Sequence, residues 1–142
     1  SPLPPLGARL FGRLGHPLAG LRGLDARQIA DYPIIAPDVT GPYAEPLFEV
    51  MSHLGGDPAR RLHILENFPT ASAIIAQSDA VGVVAETFTG SRSFQSRFEL
   101  LDFGMGQPMP MVVAHRAEWR PTLAMGWLHA ALKIHPPTAL PD

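Results

Sequence analysis

Short apolar runs alternate along this chain with stretches in which apolar residues recur every three or four positions, and Pro or Gly stands between most of them. Short runs and a period of two mark strands, whereas a period of 3.6 marks helices. On that basis Leu10 to Leu14, Pro33 to Ala36, Arg61 to Leu65, Val81 to Val84, Phe98 to Leu101 and Met109 to Val113 are predicted strands. Ile34 and Ile35, closed off by Pro37, have the uninterrupted apolar character of a strand buried on both faces. His16 to Gly20 predicts a turn. Asp25, with Gln28 three residues on, has the spacing of a capping box that opens a short helix, ended by Asp31-Tyr32-Pro33. Leu47, Val50, Met51 and Leu54 define a second helix, with Thr40 or Gly41 as cap, Pro42 in the first turn and Gly55-Gly56 as the stop. A third begins at Phe68-Pro69-Thr70, carries Ile74 and Ile75 into the core and ends near Ser78-Asp79. The last follows Arg120-Pro121, is predicted to bury Leu123, Trp127, Leu128, Ala131 and Leu132, and stops at Pro136-Pro137.

This alternation predicts an α/β fold with a parallel-rich sheet flanked by helices, because crossover helices are what join parallel neighbours. Small ligands bind such sheets in the crevice outside the carboxyl ends of the strands. Two strand-to-helix junctions therefore become candidates, Pro37 to Tyr43 and Asn67 to Ser72. Each carries Pro in the first helical turn, and each is expected to leave backbone N–H groups free for a carboxylate or phosphate oxygen. Thr40, Thr70 and Ser72 add hydroxyls to the same places; the competing reading is that these hydroxyls cap their own helices.

Composition narrows the chemistry. The 142 residues are 46% hydrophobic and 17% charged, with a net charge of -2, which fits one compact unit and excludes a disordered tail. Arg60-Arg61 is the only adjacent basic pair, so the chain lacks the footprint of a phosphate-backbone binder. Absence of Cys excludes disulfides, thiolate metal sites and thiol nucleophiles. The six His include no pair at helical i, i+4 spacing, and no Gly-rich phosphate loop or nucleophile elbow occurs, so neither a metal nor a cofactor is expected. His63 falls in a strand pattern and is expected to face solvent. Met105, Met109 and Met111 are expected to fill gaps, and Trp119 and Trp127 to pack. No apolar run approaches the ~20 residues that span a bilayer, and Ser1 to Pro5 lacks the regions of a signal peptide. The expected setting is the cytoplasm, with no membrane partner.

Several segments, taken in order, resemble a known family. Gly15-His16-Pro17-Leu18-Ala19, then Ile29 to Pro37 with its Ala-Asp-Tyr-Pro centre, then Ile75 to Val84, and finally Pro110 to Arg116 ahead of Pro121 and an apolar helix are similar to the effector-binding domain of LysR-type transcriptional regulators. Glu86-Thr87 stands where that family's strand commonly ends in Pro, and Trp119-Arg120 where a Ser is usual.

The resemblance covers about residues 12 to 135. It implies one lobe, the second, of a type 2 periplasmic-binding-protein-like domain. Residues 1–12 would be the crossover or linker from the first lobe, 13–114 the effector-binding lobe, and 115–142 a helix returning to the first lobe, whose stripe, including Trp127, needs a partner surface outside this chain. The implied partners are a small effector, anionic or polar, and DNA through a helix-turn-helix missing from this chain. Assembly is expected as a homodimer or higher homo-oligomer, with the helix from Glu45 to Leu54 across a two-fold axis. Effector contacts are placed at Pro37, Thr40, Asn67, Phe68 and Thr70. Two other readings stay open, a solute-binding protein of the same fold and a small α/β enzyme working in the same crevice.

Overall fold

The computed structural model describes residues 2–38, 40–41, 43–54, 61–114, 118, 120 and 122–133. They fall into two compact units, Gly7–Pro108 and Ser1–Leu6 with Met109–Asp142.

The larger unit holds a five-stranded sheet. Its strands are β2 (Ala8–Arg13), β3 (Ile34–Ala36), β4 (Leu62–Ile64), β5 (Val81–Ala85) and β6 (Phe98–Leu101), in the order β4-β3-β5-β2-β6. β3 is parallel to both β4 and β5, whereas β2 is antiparallel to both β5 and β6. Four strands thus point one way and β2 alone runs against them, so the sheet is mixed although most of its strands share a direction. The five strands expected between residues 10 and 101 are all present, the first beginning two residues earlier, at Ala8.

Period-two alternation along these strands builds two cores. Leu10, Ile34, Ala36, Val81 and Leu101 pack on one face with Ala26 and Ile29 of α1 (Ala26–Ala30) and Leu47 and Val50 of α2 (Ala44–Ser52). Phe11, Ile35, Val84 and Phe98 pack on the other with Ala71 and Ile75 of α3 (Phe68–Ala76) and Phe94 of α4 (Arg92–Gln95). Each fully buried aliphatic or aromatic side chain stabilises the fold by ~1.5–3 kcal/mol relative to exposure. Gly82 lets α3 approach the sheet, since a methyl group there would collide with the Phe11 ring and with Ile75 Cδ1. The capping box forms as expected: the Asp25 carboxylate accepts the Gln28 N–H at 2.9 Å and the Gln28 side chain accepts the Asp25 N–H at 2.9 Å.

Several expectations are corrected. The N-cap of α2 is Tyr43, without a side-chain cap bond, so neither Thr40 nor Gly41 caps it; Pro42 and Gly55-Gly56 lie outside the described residues. Leu47, Val50 and Leu54 are buried in the unit's own core and Met51 packs against it, so this stripe is unavailable for a two-fold axis. β4 is an edge strand, which leaves Ile64 as well as His63 exposed, and Ile74 lies on the outer side of α3. Met105 is buried in the core.

The smaller unit pairs β1 (Pro2–Leu6) antiparallel with β7 (Met109–Val112). Residues 2–6 therefore form a strand, and contacts divide the chain at 7 and 108, where β2 starts at Ala8 and β7 pairs with β1. Three Pro in β1 cannot donate to a ladder, which suits them to a two-stranded ribbon with open edges. α5 (Leu123–Lys133) follows, with Gly126 N–H donating to the Thr122 carbonyl at 2.9 Å. Leu123, Trp127, Leu128, Ala131 and Leu132 are exposed, Trp127 by 72%, as expected of a stripe that needs a partner surface outside this chain. Trp119, Pro121 and Pro136-Pro137 lie outside the described residues.

Candidate functional site

The strand order reverses at β3: its chain leaves for α2 on one face, whereas its parallel neighbour β5 leaves for α4 on the other. The chain diverges there, and a crevice opens beyond the strand ends, the place where open α/β sheets hold ligands. A cavity of about 250 Å³ occupies this place. Pro37 after β3, Leu65 and Glu66 after β4, Phe68, Ala71 and Ile75 of α3, Val83 to Ala85 at the end of β5, Phe11 of β2 and Phe88 line it. Leu65 is held by its N–H, which donates to the Ala36 carbonyl at 2.9 Å and extends the β3–β4 pairing by one residue. Phe88 belongs to a single 3-10 turn, Glu86–Phe88, closed by the Thr89 N–H and hydroxyl on the Glu86 carbonyl.

Aromatic packing shapes the opening. Phe68 and Phe88 stack with centroids 6.4 Å apart and planes 20° apart, and Phe68 also meets Phe11 at 6.1 Å. Phe11 is anchored below by Phe94 and Phe98, at 5.3 and 5.0 Å. Yet Phe68 is 41% and Phe88 63% exposed, so two large rings stand in water beside an apolar hollow. A second hollow of about 170 Å³ shares these two rings and adds Ser91, Ser93, Phe94, Arg97 and Phe98. There the Arg97 guanidinium lies over the Phe98 ring, 5.1 Å from its centre.

Of the residues expected to hold a ligand, Pro37 and Phe68 line the cavity and Asn67, Thr70 and Thr40 do not. Asn67 is the N-cap of α3. Its Oδ1 accepts both the Thr70 N–H and the Thr70 hydroxyl at 3.0 Å, and its carbonyl accepts the Ala71 N–H at 3.0 Å. Pro69 has no N–H, so the junction expected to offer several free donors keeps the Phe68 N–H alone among the described residues. The Ser72 hydroxyl is likewise taken, donating to the Pro69 carbonyl at 3.0 Å. The cap of α3 is thus the Asn67 side chain, and neither hydroxyl caps the helix; both donate within its first turns.

At the other junction a polar knot forms. Asp38 Oδ1 accepts the Thr40 N–H at 3.3 Å and the Tyr43 hydroxyl. The hydrogen bond from Tyr43 holds the Asp38 carboxyl below the ordinary carboxylate range. Burial, followed by the bond to and charge of Asp38, pushes the Tyr43 phenol up to about 12. Thr40 thus serves its own loop.

Phe11, Leu65, Glu66, Ala71, Val84 and Phe88 were not legible as site residues. Phe11 and Ala71 are ordinary core positions by pattern, and only the three-dimensional neighbourhood of β2 with α3 brings them to a cavity. A signal for Phe88 existed in the Glu86-Thr87 departure from the family's strand end. The His16 turn proves structural. Leu18 N–H donates to His16 Nδ1 at 3.1 Å, which puts the ring proton on Nε2, 3.0 Å from the Asp79 carbonyl. Arg13 adds an ion pair to Asp79 at 2.7 Å. Among the described residues no group of three His, Asp or Glu could hold a metal ion, and no helix is long and apolar enough to cross a membrane.

Comparison with known proteins gives the fold a family context. No protein-family model and no curated protein matches the sequence. Solved structures do. The regulatory domain of CcmR from Synechocystis PCC6803, in complex with 2-PG, matches with a TM-score of 0.65 at 16% identity, over 94% of this chain and 64% of that one. HinK, a LysR family transcriptional regulator from Pseudomonas aeruginosa, matches with a TM-score of 0.52 at 15% identity, over 75% of this chain and 38% of its own. OxyR of Corynebacterium glutamicum matches with a TM-score of 0.55 at 12% identity, over 92% and 41%. The chain thus spans less than two thirds of each. Its fold is that of the regulatory domains of LysR-family regulators, as the sequence resemblance implied, with the mixed α/β sheet and flanking helices of a periplasmic-binding-protein-like lobe.

Proposed function

We propose that this chain is the effector-binding lobe of a LysR-type transcriptional regulator, and that the cavity at the β3/β5 divergence is its half of the effector site. The observation that carries the reading is the coincidence of a ligand-sized apolar hollow with the topological switch point of this fold. The neighbour bound to 2-PG lends support, since a domain of the same fold takes a small molecule. On this reading residues 7–108 are the second lobe, residues 1–6 and 109–142 lead to and from a first lobe, and DNA is bound by a helix-turn-helix outside these residues, in the cytoplasm. Homo-oligomeric assembly remains part of the proposal on the resemblance alone. Non-catalytic binding is favoured over an enzyme because Glu66 is the one ionisable group among the described residues lining the cavity, and a lone carboxylate has neither a nucleophile nor a partner acid beside it.

Binding regulates only through unequal affinity for two states of the regulator. A thermal-shift screen of small metabolites tests the reading. A ligand at a hundredfold excess over its Kd stabilises the folded chain by ~2.7 kcal/mol. The expected hit raises Tm of the wild type, fails on Ala71→Leu, whose added carbons fill the cavity, and changes operator affinity of the regulator carrying the helix-turn-helix. A hit that leaves DNA affinity unchanged favours a solute-binding protein, and one that is turned over favours an enzyme.

A further inference from the structure

We infer, resting on that reading of the site, that the ligand is a small molecule with an aromatic or branched hydrocarbon body and a hydrogen-bond-donating or cationic head placed at Glu66, and that carboxylates are disfavoured. This replaces the anionic ligand expected from the two helix starts. Three observations carry it. First, the described wall residues are Pro37, Leu65, Phe68, Ala71, Ile75, Phe88 and their apolar neighbours, with no Lys, Arg or His among them. Such a wall gives an anion's oxygens nothing to pair with, and a desolvated unpaired charge is strongly unfavourable.

Second, the one charge among the described wall residues has the wrong sign for an anion. Glu66 lies at the rim, exposed, directly after Leu65. A carboxylate ligand would meet like charge, whereas an ammonium or hydroxyl head would gain a charge-assisted acceptor. Arg97 lines the adjoining hollow instead, which the stacked Phe68 and Phe88 share with this cavity.

Third, the backbone donors at the α3 start that could otherwise compensate are reduced to the single Phe68 N–H. Asn67 satisfies Thr70 twice, and Pro69 contributes no N–H. Flat apolar faces at Phe68 and Phe88 suit a ring, and their π systems favour a cation over an anion.

Three probes that share one ring and differ in the head group test this: benzylamine, benzyl alcohol and benzoate, titrated into the whole chain with binding read by ligand-detected NMR. Benzylamine is expected to bind tightest and benzoate about tenfold more weakly or worse. Glu66→Gln is expected to bring benzylamine and benzoate within about threefold of each other. Ala71→Leu should abolish binding of all three, and Phe88→Ala, which removes a largely exposed ring, should weaken all three. Benzoate binding as well as or better than benzylamine, or a spread that Glu66→Gln leaves unchanged, overturns the ligand class. If that binding is still lost in Ala71→Leu, the site itself stands. No binding of any probe, or binding indifferent to both Ala71→Leu and Phe88→Ala, overturns the site and the ligand class together.

Discussion

The two strand-to-helix junctions at this end of the sheet carry the same cues, Pro in or near the first turn and a Thr hydroxyl, yet they end up with opposite chemistry. After β4, Asn67 closes the helix start and turns Phe68 toward an apolar hollow. After β3, Asp38 gathers the Thr40 N–H and the Tyr43 hydroxyl into a knot, and α2 starts without a side-chain cap. What separates them is which acceptor reaches the free N–H groups first. A carboxamide at the cap position satisfies the helix, whereas a carboxylate several residues upstream satisfies the loop. Hydroxyl and Pro cues alone therefore do not make an anion site; the remaining acceptors nearby decide.

The sharpest way to break the comparison is at the floor of the apolar junction. Phe11→Ala removes a ring packed on Phe68, Phe94 and Phe98, and is expected to lower stability by ~3–5 kcal/mol, read from urea unfolding. A loss below about 1 kcal/mol would mean that the cavity floor is not the core described here.

A smaller effect isolates the cap. Asn67→Ala is expected to cost ~1 kcal/mol, within a range of about 0.5–2, and Asn67→Asp to restore most of it, since a carboxylate also accepts the Thr70 N–H. Equal destabilisation by both substitutions would assign Asn67 a role other than capping.

The polar junction is addressed by pH rather than by packing. The folded-state pKa of Tyr43 lies near 12, above the ordinary phenol value of ~10 in the unfolded chain. Its contribution to stability is therefore complete below pH ~10 and is lost as pH rises toward 12. Asp38 has the opposite sense. Its lowered pKa contributes stability at neutral pH that is lost as pH falls through the acid range. In a Tyr32→Phe background, phenolate absorbance should titrate near 12 and move down on Asp38→Asn. A phenol that ionises at the ordinary value with Asp38 in place would contradict the knot.

Strands were the most legible part of the fold, because Ile34-Ile35 and Val81 to Val84 are too apolar for anything but a doubly covered sheet. The Asp25/Gln28 capping box was equally plain, since its bonds span three residues. β1 was missed because Pro2-Leu3-Pro4-Pro5 has the composition of a linker, and its partner β7 lies more than a hundred residues away. α5 was legible as a helix whose apolar stripe needs a partner surface outside this chain, and that stripe is exposed. Periodicity fixes which residues share a face of a helix, not whether anything covers that face, and Trp127 is exposed. Of the expected ligand contacts, Pro37 and Phe68, proposed from the strand-end rule, line the cavity. Thr40, Asn67 and Thr70 were not brought to the cavity, because their polar atoms find closer partners in their own turns.

The central claim, a ligand cavity at the β3/β5 divergence, is tested most directly by intermolecular nuclear Overhauser effects between bound benzylamine and a methyl-labelled chain. Contacts are expected from the benzyl ring to the methyls of Ala71, Ile75 and Val84 and to the rings of Phe68 and Phe88. Contacts confined to the Asp38, Thr40 and Tyr43 junction, or no contacts at saturating probe, would contradict it.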